Sequence, residues 1–195
     1  MGNKKLVLIL GGARSGKSLF AEELAVRAGG LVTYIATSAA GDDEMIRRVA
    51  AHRERRPAEW KTVEETHQVP EKIDRLGQES CAILVDCLTG WLSNMLLDVS
   101  LPSPGASDIE KEFYIKSRVE DLASAAGKAS ATVLVVSNEV GQGLVPPYPL
   151  GRLFRDISGN ANRYLASVAD EVYLVVAGLA LEIKSQAVNV SCRRL

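Results

Sequence analysis

The sequence predicts an α/β fold, a mostly parallel sheet flanked by helices, and two observations lead to it. Five short apolar runs rich in β-branched residues recur along the chain. They are apolar on both faces, which is typical of strands buried in a parallel sheet. Longer amphipathic stretches separate them, which indicates βαβ units. The predicted strands are Leu6–Leu10, Val32–Ala36, Ala82–Val85, Thr132–Val136 and Val172–Val176.

The amphipathic stretches predict the helices Lys17–Ala28, Asp42–Arg55, Trp91–Leu97, Ile109–Ala126 and Gly151–Ala169. A turn at Ala177–Gly178 and an alternating segment from Leu179 to Lys184 predict a C-terminal hairpin with one antiparallel edge strand. Residues 101–108 are rich in Pro and Ser and predict a surface loop. Since strands of the same kind lie on both sides of this loop, we expect one domain over residues 1–195.

Composition narrows the classes of function. The chain has 195 residues, 47% of them hydrophobic and 24% charged, which is the balance of a soluble globular protein. A net charge of −1 argues against nucleic acid or an anionic membrane as a partner, and the run Leu6–Leu10 is too short to span a membrane. The three cysteines show no CxxC spacing, so we expect a reducing, cytoplasmic setting, with Cys81 and Cys87 buried beside an apolar strand.

A glycine-rich motif lies between the first predicted strand and the first helix. Residues 11–18 read Gly-Gly-Ala-Arg-Ser-Gly-Lys-Ser and fit GxxxxGK[ST], the P-loop pattern. Glycines let several backbone N–H groups converge on an anion, and Lys17 supplies a charge for the β- and γ-phosphates. The Ser18 hydroxyl is a candidate Mg²⁺ ligand. The predicted nucleotide-binding residues are Gly11, Gly12, Ala13, Arg14, Ser15, Gly16, Lys17 and Ser18.

A second acid follows a later strand. The apolar run Ala82–Val85 ends in Asp86, which is the Walker B pattern for a residue that orients Mg²⁺. The alternative is that Asp86 caps the helix that follows it.

The residues around His52 leave two interpretations open. His52 lies on the predicted helix 42–55, near its apolar border, with Arg48, Arg53, Arg55 and Arg56 around it. A histidine on an arginine-rich helix is commonly solvated or partly packed. A neutral imidazole can instead attack phosphorus while guanidinium groups stabilise charge on the phosphate oxygens. For the other histidine, His67, we expect a surface or capping role.

Short sequence motifs occur in a fixed order along nearly the whole chain. They are Gly11–Ser18, Tyr34–Ser38 with Asp42–Met45, His52 with Arg56–Trp60 and Glu64, Asp86–Thr89, Ser137–Gly141 with Gly143, Val145 and Pro146, Phe154–Asp156, Asn162, and Ala169–Val172. With these motifs the sequence resembles the bifunctional adenosylcobinamide kinase/adenosylcobinamide-phosphate guanylyltransferase family of cobalamin biosynthesis. The resemblance implies a RecA-like P-loop fold and a homotrimer.

The resemblance also implies a two-step activity. ATP or GTP phosphorylates adenosylcobinamide. GTP then guanylylates His52 with release of pyrophosphate, and the GMP passes to adenosylcobinamide phosphate, giving adenosylcobinamide-GDP. By this resemblance His52 and Lys17 are catalytic, and Ser18 and Asp86 hold Mg²⁺. Further nucleotide contacts are implied for Ala36, Thr37, Arg53, Glu54, Arg55, Arg56, Glu64 and Asp86.

The sequence departs from the family pattern at two positions. Some members carry two adjacent histidines, whereas Ala51 precedes His52 here, and some carry glutamate in place of Asp86. If the first histidine assists proton transfer, this chain uses water or another group.

Two rival functions are a kinase in which His52 is structural and a nucleotide-dependent switch that transfers nothing.

Lesser candidates follow the predicted strand 132–136. Asn138 and Glu139 stand where α/β proteins commonly meet ligands, and the Gly- and Pro-rich loop 141–149 is able to fold over a substrate. A purely structural turn is the alternative for each. Arg152 and Arg155 either pair with phosphate or face solvent, with solvent favoured. Core packing is favoured for both tryptophans over contact with a corrin ring.

Overall fold

The computed structural model describes residues 5–38 and 57–188, and these form seven strands and five helices. The strands are β1 (Leu6–Gly11), β2 (Val32–Ala36), β3 (Lys61–Glu64), β4 (Ala82–Asp86), β5 (Thr132–Asn138), β6 (Glu171–Val176) and β7 (Leu179–Glu182). The helices are α1 (Lys17–Ala28), α2 (Val69–Leu76), α3 (Leu88–Leu97), α4 (Asp108–Lys128) and α5 (Pro149–Val168).

The strands make one sheet in the order β3-β2-β4-β5-β1-β6-β7. All neighbours are parallel except β6 and β7, which are antiparallel. The hairpin turn at Ala177 (φ 52°) and Gly178 (φ 80°) has two positive φ angles in succession, as a tight turn between twisted strands requires. Strand β5 lies between β1, which leads into the glycine-rich loop, and β4, which ends in Asp86. This is the RecA-like strand order. The predicted mostly parallel sheet with a C-terminal antiparallel strand is confirmed.

Helices cover both faces of the sheet, which explains why the strands are apolar on both sides. Residues such as Leu8 and Val85 pack with α2, α3, α4 and α5. Their neighbours, such as Ile9, pack on the opposite face with α1. Successive side chains of a strand point to opposite faces, so both sets are buried. Trp91 and Trp60 belong to these cores, as expected.

Two elements were not predicted from the sequence. The edge strand β3 is largely exposed, so it lacks the apolar run that marks the other strands. The short helix α2 buries Val69, Ile73 and Leu76, spaced by four and three residues, and carries proline at its start. That pattern was a usable helix signal in a segment of only 8 residues. The predicted helix Asp42–Arg55 lies outside the described residues.

Two further expectations can be compared with the structure. Cys81 is exposed, contrary to prediction, because it precedes the buried strand β4 and is not part of it. Residues 101–106 form the expected loop, and the side chain of Ser107 then caps α4 in a capping box with Glu110. Within residues 5–38 and 57–188, no helix is both long and apolar enough to cross a membrane.

Candidate functional site

The loop between β1 and α1 has the shape of a phosphate cradle. Gly16 precedes α1 in a left-handed conformation (φ 96°), and no side chain caps the helix start. The Lys17 ammonium donates to the carbonyl of Gly12 at 3.1 Å, so the lysine lies folded over the loop. Ser15 Oγ is buried without a hydrogen-bond partner among the described residues. A helix start, whose first N–H groups have no partner within the helix, together with a cation and a hydroxyl without a partner among the described residues, is suited to an anion.

Two positions of this loop require glycine, Gly11 because of close packing and Gly16 because of its positive φ. A Cβ on Gly11 would lie 2.5 Å from Ser15 Oγ and 2.6 Å from the carbonyl oxygen of Val175, distances that no methyl group tolerates. Gly16 has a positive φ, and its Cβ position lies 3.4 Å from Cα of Gly178 in the β6–β7 turn. Gly178 also donates its N–H to the carbonyl of Ser15 at 2.8 Å. The β6–β7 hairpin therefore packs against the glycine-rich loop.

Three predicted site residues lie in one row across neighbouring strands. Ala36, the last residue of β2, is paired in register with Glu64 at the end of β3 and with Asp86 at the end of β4. The carboxyl ends of parallel strands meet at one edge of the sheet, so this row opens on the same edge as the glycine-rich loop. Glu64 is exposed and Asp86 half-buried there.

Asp86 is held by a tyrosine and does not cap α3. Tyr34, on β2, donates its hydroxyl to Asp86 Oδ2 at 2.8 Å. The residue at the cap of α3 is Cys87, whose sulfur accepts the N–H of Gly90 at 3.3 Å. The alternative interpretation of Asp86 as a helix cap is therefore wrong. Leu84 packs on the face that carries α1, and alternation along β4 directs Asp86 to that same face.

The charges of Asp86 and Lys17 both act on the thiol of Cys87. Burial is the largest effect on the Cys87 thiol and raises its pKa above the ordinary value. The negative charge of Asp86 raises this pKa further, while the positive charge of Lys17 lowers it. Both charges therefore act on the start of α3. The glycine-rich loop and the end of β4 therefore lie close together at this edge of the sheet.

Thr37 is bound on every side by the protein. Its hydroxyl donates to the carbonyl of Cys87 at 2.7 Å and accepts the N–H of Cys87 at 2.8 Å. Its own N–H donates to the carbonyl of Asp86 at 3.1 Å. The Asn94 amide donates to the Thr37 carbonyl at 2.7 Å and to the Thr66 carbonyl at 3.1 Å. These bonds fasten the end of β2 to β4, α3 and the segment after β3.

A polar chain continues along the end of β5. Asn138 donates to Thr89 Oγ1 at 2.8 Å, and Asn162 on α5 donates to the Asn138 carbonyl at 3.3 Å. Asn162 also accepts from Ser137 at 2.7 Å, in a buried position. Asn94 was not singled out from the sequence, and Tyr34 and Thr89 were named there only within the family motifs, without a role of their own. The usable signal was a polar group within or beside a buried apolar run, which has to find a partner.

Arg152 and Arg155 fasten the loop that follows β5. Arg152 donates to the carbonyls of Pro146 and Pro147, at 3.1 and 2.8 Å. Arg155 donates to the carbonyl of Gly141. Arg152 is exposed, as expected, although its guanidinium also binds the loop, whereas Arg155 is half-buried and does not simply face solvent.

Several predicted site residues lie outside the described residues. They are His52, Arg53, Glu54, Arg55 and Arg56. Their roles stay predictions. His67 is described and has a structural setting: its carbonyl accepts from the Trp91 indole at 2.8 Å, and its ring contacts Thr66 and Asp98.

The sheet order and the glycine-rich loop define a P-loop fold, a class that holds the phosphates of nucleotides at a helix start. A family model described as cobinamide kinase / cobinamide phosphate guanyltransferase matches residues 7–183. The chain belongs to this family.

Curated relatives are similar over almost their full length. The chain is 40% identical to the bifunctional adenosylcobalamin biosynthesis protein CobU of Escherichia coli, over 92% of the chain and 99% of that protein. It is 42% identical to the bifunctional adenosylcobalamin biosynthesis protein CobP of Pseudomonas aeruginosa, over 92% and 97%. Among solved structures, the RadB recombinase aligns with a TM-score of 0.46 and 15% identity, over 87% of this chain and 73% of that one.

Proposed function

We propose that this protein is a bifunctional enzyme of cobalamin biosynthesis, an adenosylcobinamide kinase and adenosylcobinamide-phosphate guanylyltransferase. The observation that carries the proposal is the phosphate cradle at Gly11–Ser18, in a chain that matches the family over residues 7–183. The names of the bifunctional relatives from Escherichia coli and Pseudomonas aeruginosa support it. We further propose that residues 1–195 make one domain.

The kinase step uses the loop and the end of β4. The backbone of Gly11–Ser18 binds the triphosphate of ATP or GTP, and Lys17 neutralises charge on the β- and γ-phosphates. The position of the ammonium over the loop, 3.1 Å from the Gly12 carbonyl, supports this role. The acceptor is the hydroxyl of the aminopropanol arm of adenosylcobinamide.

Mg²⁺ fits the donors at this edge. The hydroxyl of Ser18 and the carboxylate of Asp86 are oxygen ligands, which Mg²⁺ prefers over nitrogen and sulfur. Residues 5–38 and 57–188 contain no group of three His, Cys, Asp or Glu side chains that could hold a metal alone. Ser18 and Asp86 would hold the ion together with phosphate oxygens and water, as is usual for Mg²⁺. When bound, Mg²⁺ neutralises charge that gathers on the phosphates during transfer.

The guanylyltransferase step needs a nucleophile that a P-loop does not provide, and we assign this role to His52. A ring nitrogen of His52 attacks the α-phosphorus of GTP, pyrophosphate leaves, and the GMP then passes to the phosphate of adenosylcobinamide phosphate. Contacts to the guanine nucleotide are proposed for Ala36, Thr37, Arg53, Glu54, Arg55, Arg56, Glu64 and Asp86. For Thr37 the proposal is limited to apolar contact or indirect support, since its polar groups are bound within the protein.

We propose in addition a cytoplasmic homotrimer whose partners are nucleotide and corrinoid substrates, without nucleic acid and without membrane insertion. A small net charge of −1 is consistent with these partners.

Incubation with Mg²⁺ and GTP labelled at the α-phosphate tests the proposal, with intact-protein mass as the readout. We expect a GMP adduct that is acid-labile and alkali-stable, as a phosphorus–nitrogen bond should be. The adduct should be absent in His52→Ala and present in the matched control His67→Gln, which alters the only other histidine.

Phosphorylation of cobinamide without any adduct would establish the kinase-only alternative and make the assignment of His52 wrong. Nucleotide binding with neither adduct nor phosphorylated cobinamide would favour the switch alternative.

A further inference from the structure

The end of β5 lies between the glycine-rich loop and Asp86. Gly11 pairs in register with Asn138 on one side of β5, and Asp86 pairs with Val136 on the other. The next residue, Glu139, is therefore the first to leave the sheet between the phosphate cradle and the proposed metal ligand. Its position makes Glu139 a candidate to contact a substrate hydroxyl that approaches a γ-phosphate bound in the cradle.

Glu139 is held in place from two directions. Its N–H donates to the carbonyl of Gly11 at 3.1 Å, which fixes its backbone to the start of the loop. Its Oε1 accepts the N–H of Gly141 at 3.1 Å, and Arg155 holds the carbonyl of Gly141 from α5. The side chain is half-buried. Among the described residues, its second oxygen, Oε2, has no hydrogen-bond or ion-pair partner.

Other described carboxylates at this edge are less suited to receive a proton from a substrate. Asp86 accepts from Tyr34 and is the proposed Mg²⁺ ligand. Glu65 accepts the N–H groups of His67 and Gln68 and pairs with Lys72 at 3.4 Å. Glu64 ends β3, which lies three strands beyond β5 in the sheet order. Of these four, Glu139 combines a position beside the loop with an oxygen that has no partner within residues 5–38 and 57–188.

We propose that Glu139 is a catalytic residue of the kinase step and accepts the proton of the acceptor alcohol; this inference rests on the proposed function. The alcohol oxygen forms a bond to the γ-phosphorus of ATP or GTP. The bond from that phosphorus to the bridging oxygen breaks, and the nucleoside diphosphate leaves with the electron pair. The hydroxyl proton moves to Oε2 of Glu139. Histidine guanylylation starts from an imidazole and has no such proton to remove.

The variant Glu139→Gln separates catalysis from the structural role. Glutamine keeps an oxygen that can accept the N–H of Gly141, but it cannot take up a proton at neutral pH. We expect kcat for cobinamide phosphorylation to fall about 100-fold or more, the usual contribution of a general base, with KM for ATP little changed. The GMP adduct should form at the wild-type rate. Glu120→Gln, a change at an exposed residue of α4, is the matched control and should leave both steps unchanged.

Thermal unfolding of each variant establishes that it is folded before the rates are compared. Wild-type phosphorylation by Glu139→Gln would overturn the inference and leave Glu139 as a turn residue only. An equal loss of phosphorylation and guanylylation would also overturn it, because it would indicate damage to the shared nucleotide site. If the wild-type protein itself phosphorylates no cobinamide, the proposed kinase function fails, and the role of Glu139 fails with it.

Discussion

Tyr34 and Asp86 are joined by a hydrogen bond of 2.8 Å between a buried phenol on β2 and the carboxylate at the end of β4. Tyr34 is only 2% exposed and packs in the core between the sheet and α1. Core packing therefore orients its hydroxyl, and the hydroxyl orients the carboxylate. A residue that the sequence placed in an apolar strand thus positions a proposed Mg²⁺ ligand.

Tyr34→Phe removes this hydrogen bond while keeping the ring in the core. A hydrogen bond to a charged group contributes about 1.5–3 kcal/mol, so we expect a loss of roughly 10- to 150-fold in kcat/KM for the kinase step. The Mg²⁺ concentration needed for half-maximal activity should rise, as measured by Mg²⁺ titration. Tyr164→Phe on α5 is the matched control and should behave as wild type. An unchanged Mg²⁺ titration for Tyr34→Phe would show that Asp86 does not need the tyrosine.

Gly11→Ala and Gly12→Ala test the shape of the cradle at adjacent positions. The new methyl at residue 11 would meet Ser15 Oγ and the Val175 carbonyl within 2.6 Å, whereas nothing lies within 4 Å at residue 12. We expect Gly11→Ala to lower the free energy of unfolding by about 1–3 kcal/mol, the usual cost of overpacking. Gly12→Ala should stay within roughly 0.5 kcal/mol of wild type. Denaturant unfolding without nucleotide measures both, and equal stabilities would contradict the close packing described around Gly11.

Asn94→Ala removes the amide that bridges the carbonyls of Thr37 and Thr66. Unsatisfied carbonyls in a partly buried position should lower the free energy of unfolding by about 1–3 kcal/mol. Because Thr37 ties β2 to the start of α3, KM for the nucleotide should also rise. Chemical unfolding and kinase kinetics provide the two readouts. Asn160→Ala, at an exposed position of α5, is the control, and a similar effect from it would argue against a special role for the bridge.

Glu65 makes the stability depend on pH in a defined direction. Burial acts to raise its pKa, but the N–H groups of Gln68 and His67 and the ammonium of Lys72 prevail, so the pKa lies below its ordinary value of 4.5. A folded-state pKa below the unfolded one stabilises the fold above about pH 4.5, and this contribution is lost as the pH falls towards the folded-state value.

Glu65→Gln should therefore be less stable than wild type at neutral pH, by roughly 1 kcal/mol. The gap should narrow as the solution becomes more acidic, because the wild-type carboxylate is then protonated. Unfolding free energies measured across this pH range, with Glu120→Gln as control, test the prediction. A gap that widens in acid would mean that the carboxyl, not the carboxylate, is favoured in the folded protein.

Much of the fold was predictable because its signals are local. The strands β1, β2, β4, β5 and β6 are continuous apolar runs, and the amphipathic helices between them follow a period that a single segment reveals. The edge strand β3 escaped prediction because its exposed position requires no apolar residues. The glycine-rich loop could be predicted for the same reason as the apolar strands, because its whole pattern lies within residues 11–18.

The amino-acid sequence by itself determined the presence of a P-loop, the order of most elements and the family to which the chain belongs, because each depends on residues close in sequence or on short motifs in a fixed order. Only the tertiary structure decided that β5 separates β1 from β4, that Tyr34 holds Asp86, and that Glu139 lies against Gly11. These contacts join residues far apart in sequence. They arise from strand order and register, which depend on how several elements pack together and are not encoded in any one of them.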